Sequence, residues 1–378
     1  MPIFANNFEA FGLDLGDHSL KVVHAKRKSG TPTLLSYGSL PVPEGVCVQG
    51  VIKQSDVLSG LIKQAVQNVK GRKINTTYVH ACLPETHSFI KLITLEDVEA
   101  KELPAAIREE LPNHIPIPPD DLYIDWQVVE ENTDNLTRVL VGAVPRLIVD
   151  SFTACLLAAG LMPVSLQIEA EAILRSLLPL SDQPKTSIAV VDFGATRSSF
   201  ICFDRSTIQF TITLATSSDG ITRIISDQLK LSWPEAEKAK MICGLDKAAG
   251  EGIVVELVNQ AIDELAADIS KSVSYYTEHF PHGSPITSII LCGGGANLKQ
   301  LRETLAEKLY PITIYMGNPL INLVKNLKKV VPQGANHSQL NFLSPDLVFE
   351  ATKNTCPLTP AEALGYTTAI GLALSNIT

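Results

Sequence analysis

An apolar strand, an Asp-x-Gly turn and a second strand occur twice in this chain, far apart. The first copy runs Phe11–Val23 with Asp14 and Gly16 at its turn; the second runs Val190–Ile201 with Asp192 and Gly194. Each leads through another turn, at 28–30 and 204–206, into a third strand, Thr33–Leu40 and Ile208–Leu214. A meander repeated at long range implies two related halves. Two such turns facing each other would wall a single cleft.

The turns carry a specific chemistry. A glycine after the aspartate lets the backbone approach a phosphate with no Cβ in the way. Turn N–H groups that point inward form a nest for an anion. A carboxylate repels phosphate, so Asp14 and Asp192 make sense as ligands, direct or through water, of a Mg2+ ion that neutralises it.

Bulk properties narrow the class. At 378 residues and 45% apolar content the chain has material for about two or three domains with real cores. A net charge of −9 argues against a nucleic-acid partner or adhesion to an anionic membrane. The seven cysteines form no C-x-x-C pair and no zinc-type cluster; most sit in apolar runs and read as core residues of a reducing compartment. His18 is the one histidine inside the candidate site. No signal peptide opens the chain, and the longest apolar candidate, Leu156–Leu180, is cut by Pro163, Gln167, Glu169, Glu171 and Arg175. The expectation is a cytoplasmic protein with no direct membrane insertion, reaching a membrane only through a partner.

Along the chain, periodicity predicts a helix over Val57–Val69, a strand over Thr76–Leu83, and then a β-α-β-β block at 85–147. That block has strands at Phe89–Leu95, Tyr123–Glu130 and Thr137–Val144, a short helix at Pro104–Glu110 and a proline-rich stretch through Pro119. A helix at Leu147–Ala159, a strand at Val164–Ile168 and a helix at Ala170–Leu178 lead to a linker. The second half continues with helices at Gly220–Lys230, Trp233–Ile242 and Ile253–Phe280; Ser232 and Glu235 form a capping box. Strand Ile286–Leu291 runs into Gly293-Gly294-Gly295, followed by helix Leu298–Leu309 and strand Ile312–Met316. Residues 331–357 read as loop, and Ala361–Leu374 as one closing helix.

This order and these motifs resemble the actin-like ATPase superfamily and, within it, the PilM family of type IV pilus assembly proteins, relatives of the bacterial division protein FtsA. The resemblance covers nearly the whole chain. It implies an α/β fold of two ribonuclease-H-like halves around a nucleotide cleft, with a small inserted α+β subdomain. Residues 1–84, completed by 148–185 and 358–378, would form the first domain. Residues 85–147 would be the insertion, and 186–357 the second domain, with 217–285 its helical cap over the nucleoside.

Asp14, Gly16, Asp17, His18, Ser19 and Lys21 then resemble the first phosphate loop, and Asp192, Gly194, Ala195 and Thr196 the second. Gly293, Gly294, Gly295 and Asn297 resemble the adenosine loop, where glycines let base and ribose lie on backbone. Glu237 and Lys240 share one helix face and would reach the nucleoside or pair with each other on the surface. Glu169 or Glu171, in a segment similar to the first hinge helix, would position the attacking water; Tyr366–Ala373 resembles the second hinge helix. The implied cofactors are ATP and Mg2+, with hydrolysis slow at most. The chain departs from the family's pattern at Asp17 and His18, which stand where serines are usual; Asp17 would repel a triphosphate unless it turns outward or joins the metal shell.

In function the resemblance implies a cytoplasmic ATP-binding scaffold of the pilus alignment machinery, binding the N-terminal tail of a PilN-like inner-membrane protein in a groove beside 85–147. A pilus motor ATPase and self-association are further implied partners. Three alternatives stand beside it. An FtsA-like division ATPase would carry a basic amphipathic membrane helix, whereas this chain ends at Thr378, just after the hinge-like helix. A type II secretion cytoplasmic component would bring a transmembrane segment. A small-molecule kinase needs a general-base carboxylate; Asp219 is the candidate, and it reads better as a helix N-cap.

Overall fold

The computed structural model describes residues 9–28, 31–96, 98–131, 136–179, 184, 186–249, 252–280, 283–323, 328–330, 348–350, 357–375 and 377. Most of the 331–357 loop expectation, the turn at 132–135 and the linker at 180–183 lie outside the described residues.

The first meander is β1 (Phe11–Leu15), β2 (Ser19–Lys28) and β3 (Thr31–Pro41). A two-residue hairpin, β4 (Cys47–Val48) and β5 (Val51–Ile52), leads to α1 (Ser55–Gln67), the short β6 (Lys70–Gly71) and β7 (Tyr78–Leu83). The inserted block supplies β8 (Phe89–Glu96), α2 (Leu103–Glu110), β9 (Leu122–Glu131) and β10 (Leu136–Pro145). Then come α3 (Arg146–Ala158), β11 (Met162–Ile168) and α4 (Glu169–Leu177).

The second meander is β12 (Ile188–Phe193), β13 (Ser198–Asp204) and β14 (Thr207–Leu214). Helices α5 (Ser218–Leu229), α6 (Trp233–Cys243) and α7 (Ile253–His279) precede β15 (Ser288–Cys292), α8 (Leu301–Lys308) and β16 (Thr313–Met316). A small ladder of β17 (Lys328–Val330) and β18 (Val348–Glu350) comes before α9 (Pro360–Leu364) and α10 (Thr367–Leu374).

Two sheets carry the repeat. One has the strand order β11-β7-β1-β2-β3-β6; the other begins β16-β15-β12-β13-β14. Position for position, β1 matches β12, β2 matches β13, β7 matches β15 and β11 matches β16. In each, the meander is antiparallel and the strand beyond its first member is parallel to it. The central strands read as continuous apolar runs because both faces are covered; all of β1 and β13 is buried.

Two departures from expectation have local causes. The closing helix is two helices, because Thr359 and Glu362 form a capping box that starts α9 and the chain breaks at Gly365 before α10 begins. The strands of the inserted block extend the second sheet as β14-β8-β10-β9, through the pair Phe210–Lys91. The block therefore spans from the first half to the second rather than standing apart.

Two glycines let the closing helix seat itself. A Cβ on Gly12 would meet the Ala369 carbonyl oxygen at 2.4 Å, and one on Gly371 would meet that of Ala172 at 1.7 Å. α10 thus lies directly on β1 and crosses α4 at backbone contact.

Candidate functional site: a cleft between the two meander turns

Both Asp-x-Gly turns close tightly. The Gly16 N–H donates to the Ser19 carbonyl at 3.1 Å, and a Cβ on Gly194 would stand 2.4 Å from the Arg197 carbonyl oxygen. The turns face each other across a cavity of about 300 Å3. Its walls include Asp14, Gly16, Asp17, His18, Ser19 and Lys21 from the first turn, and Asp192, Gly194, Ala195, Thr196 and Arg197 from the second. Glu169, Glu237 and Gly293–Gly295 complete much of the remainder.

The internal symmetry extends to a pair not read from the sequence. The Cys82 thiol on β7 donates to Asp14 Oδ1 at 3.5 Å, and the Cys292 thiol on β15 donates to Asp192 Oδ1 at 3.7 Å. In each half the aspartate is the penultimate residue of the first strand, and the cysteine stands beside it on the parallel neighbour. Burial raises both thiols well above their ordinary range, so they act as neutral donors.

The electrostatics of the cavity are those of crowded carboxylates. Burial, then the neighbouring Glu169 carboxylate, push Asp192 up to about 7. Burial likewise raises Glu169, opposed by Arg197. A cation delivered here would relieve that crowding. Among the described residues no three His, Cys, Asp or Glu side chains converge to hold an ion alone. Asp14 and Asp192, one carboxylate from each turn, are oxygen donors of the kind a Mg2+ would take alongside water and phosphate.

Arg197, which the sequence reading left without a role, is a half-buried cation of the cleft, beside Lys21, which faces Asp14 at 3.7 Å. Arg197 reaches Glu169 at 3.4 Å and Asp17 at 3.8 Å, bridging the second turn to the hinge helix and the first turn. Burial alone would lower its pKa, but Glu169 and Asp17 hold it above the ordinary value. Its position in the second turn, directly after Thr196, was the available signal. His18 pairs with Asp219 at 2.6 Å across the mouth of the cavity. Asp219 is not the helix cap; Ser217 caps α5 by accepting from the Gly220 N–H, and Asp219 sits in the first turn.

Three expected site residues lie elsewhere. Glu171 is two positions after Glu169 on α4, so it points the other way, into a second groove. Lys240 is buried against α5, donating to Ser218 and Thr222 and pairing with Glu237 at 2.8 Å. Asn297 donates to the Ala361 and Gly294 carbonyls, tying α9 to the glycine run. Within that run only Gly294 opens on free space; a Cβ on Gly293 would stand 2.3 Å from Asp192 Oδ1, and one on Gly295 2.6 Å from the Phe193 ring.

The second groove, about 730 Å3, lies between β9 and β11, one edge strand from each sheet. Tyr123, Ile124, Trp126, Leu140 and Leu166 line its apolar part; Asp125 and Glu171 give it an acidic pole. Burial, reinforced by Asp125 and opposed by Arg175, raises the Glu171 carboxyl.

The model of the family described as "Type IV pilus assembly protein PilM" matches residues 12–343. The cell division protein FtsA of Streptococcus pneumoniae serotype 2 (strain D39 / NCTC 7466) is 24% identical over 350 residues, 82% of this chain and 75% of that protein. Among solved structures, the PilM-PilN type IV pilus biogenesis complex matches with a TM-score of 0.77 at 22% identity, covering 98% of this chain and 99% of the other. The ethanolamine utilization protein EutJ of Carboxydothermus hydrogenoformans matches with a TM-score of 0.55 at 14% identity, covering 97% and 89%. The fold is thus the actin-like ATPase fold.

Proposed function

The chain belongs to the type IV pilus assembly protein PilM family, and from that premise we propose that it is a nucleotide-dependent scaffold of the pilus assembly machinery. In this reading the cleft between the turns binds ATP. Asp14 and Asp192 hold Mg2+ through its water shell, the two turns cradle the phosphates, and the glycine run carries the nucleoside. The metal neutralises the phosphates. Glu169, held by Arg197, orients water, and turnover is slow at most.

The groove between β9 and β11 takes the N-terminal tail of a PilN-like inner-membrane protein, which places the scaffold on the cytoplasmic side of that membrane. Among the described residues no helix is long and apolar enough to cross a membrane. Two facing edge strands offer unpaired backbone to an extended segment, and the apolar wall offers pockets for its alternate side chains.

The observation that carries this reading is α4. Glu169 faces the cleft and Glu171 faces the groove, from one helix that α10 clamps at Gly371. Closing the cleft on a nucleotide would displace α4 and reshape the groove, which is the differential contact that coupling requires. The test is titration of a PilN-type tail peptide with and without ATP·Mg2+. The expected result is affinity shifted about fivefold or more by nucleotide, and lowered about tenfold by Trp126→Ala. Tail binding indifferent to both would overturn the coupling and the groove.

A further inference from the structure

Among the described residues Asp17 is the most fully engaged carboxylate at the cleft. Its Oδ1 accepts the Gly50 N–H at 2.9 Å, and its Oδ2 accepts the Thr196 hydroxyl at 3.1 Å and faces Arg197 at 3.8 Å. Thr196 and Arg197 belong to the opposite turn. They are the side-chain donors that turn would offer a phosphate, and in this structure a protein carboxylate already takes them. Asp17 is 7% exposed. Burial by itself would raise its pKa, but the Gly50 N–H, Arg197, Cys47 and Thr196 together hold it below the usual carboxylate range, so the charge is present at neutral pH.

A nucleoside on the glycine run presents its phosphates to the turns in order, the terminal one last. To use Thr196 and Arg197 that phosphate would have to compete with the Asp17 carboxylate, which the Gly50 N–H anchors beside them. A diphosphate leaves the Asp17 contacts standing.

We infer that Asp17 is a specificity-determining residue that competes with the terminal phosphate for Thr196 and Arg197, so that the cleft gains little or no affinity from the γ-phosphate. This rests on the nucleotide reading of the cleft. It differs from a metal-shell role, because the carboxylate is spent on an N–H, a hydroxyl and a guanidinium, all of them donors.

The experiment is calorimetric titration of the full chain with ADP·Mg2+ and ATP·Mg2+, on the intact protein and on Asp17→Asn and Asp17→Ser, with thermal unfolding run alongside. The intact protein should bind ATP no tighter than ADP. In both variants the ratio of ATP to ADP affinity should rise at least about tenfold, as expected on removing a like charge at close range. An intact protein that strongly prefers ATP would overturn the inference without need of the variants. So would a ratio that stays constant or falls on substitution, a fall being the mark of a metal ligand. Folded proteins that bind neither nucleotide would overturn the nucleotide reading itself, which separates that failure from the others.

Discussion

Gly371 and Ala172 meet so closely where α10 crosses α4 that a Cβ on the glycine would stand 1.7 Å from the alanine carbonyl oxygen. Backbone has no rotamer with which to retreat, so even one methyl group must part the two helices. Gly371→Ala should cost about 3 kcal/mol or more of folding stability, at the upper end of overpacking penalties. Urea unfolding checks this; a loss under about 0.5 kcal/mol would mean the crossing is loose.

Glu85 should make a contribution to stability that is lost as pH rises, the reverse of an ion-paired carboxylate. It is buried between the halves, and neither carboxylate oxygen has an ordinary hydrogen-bond partner among the described residues. Burial pushes it up to about 7, with Thr211, Arg197 and the Ala170 N–H only partly offsetting that effect. A carboxyl raised on folding stabilises the protein fully below its unfolded value and loses that contribution as pH rises through the folded value. Stability should therefore fall between about pH 5 and pH 8, and Glu85→Gln should restore about 2 kcal/mol at the upper end. Denaturant midpoints across that range are the readout.

Gly294 separates site from fold. Its neighbours Gly293 and Gly295 would drive a Cβ into Asp192 and Phe193, whereas a Cβ on Gly294 meets nothing within 4 Å and projects beside the cavity. Gly294→Val should leave the unfolding midpoint nearly unchanged and weaken nucleotide binding about tenfold or more, since bulk would then occupy the floor proposed for the nucleoside. Gly293→Ala, at a φ of +82°, should destabilise the protein itself.

The sequence made the repeated meanders legible because each half carries its own apolar strands and its own Asp-x-Gly turn, features set within a dozen or so residues. The capping box at Ser232 and Glu235 was legible for the same reason. What the sequence hid is long-range. Asp219 is the partner of His18 from 201 residues away, and Cys82 and Cys292 reach their aspartates only once parallel strands are in register. Glu169 and Glu171 were interchangeable as letters; the helical turn between them, fixed by packing against α10, sends one to each cavity. Lys240 has the spacing of a surface pair, and tertiary packing makes it a buried clamp on α5 instead.

The central question is whether the two facing turns make one nucleotide site. Calorimetric titration of the intact chain with ATP·Mg2+, repeated on Asp14→Ala and Asp192→Ala, tests it most directly. Saturable binding by the intact protein, weakened at least about tenfold by either substitution in a folded variant, is the predicted result. No binding by the intact protein, or binding that neither substitution disturbs, would contradict it.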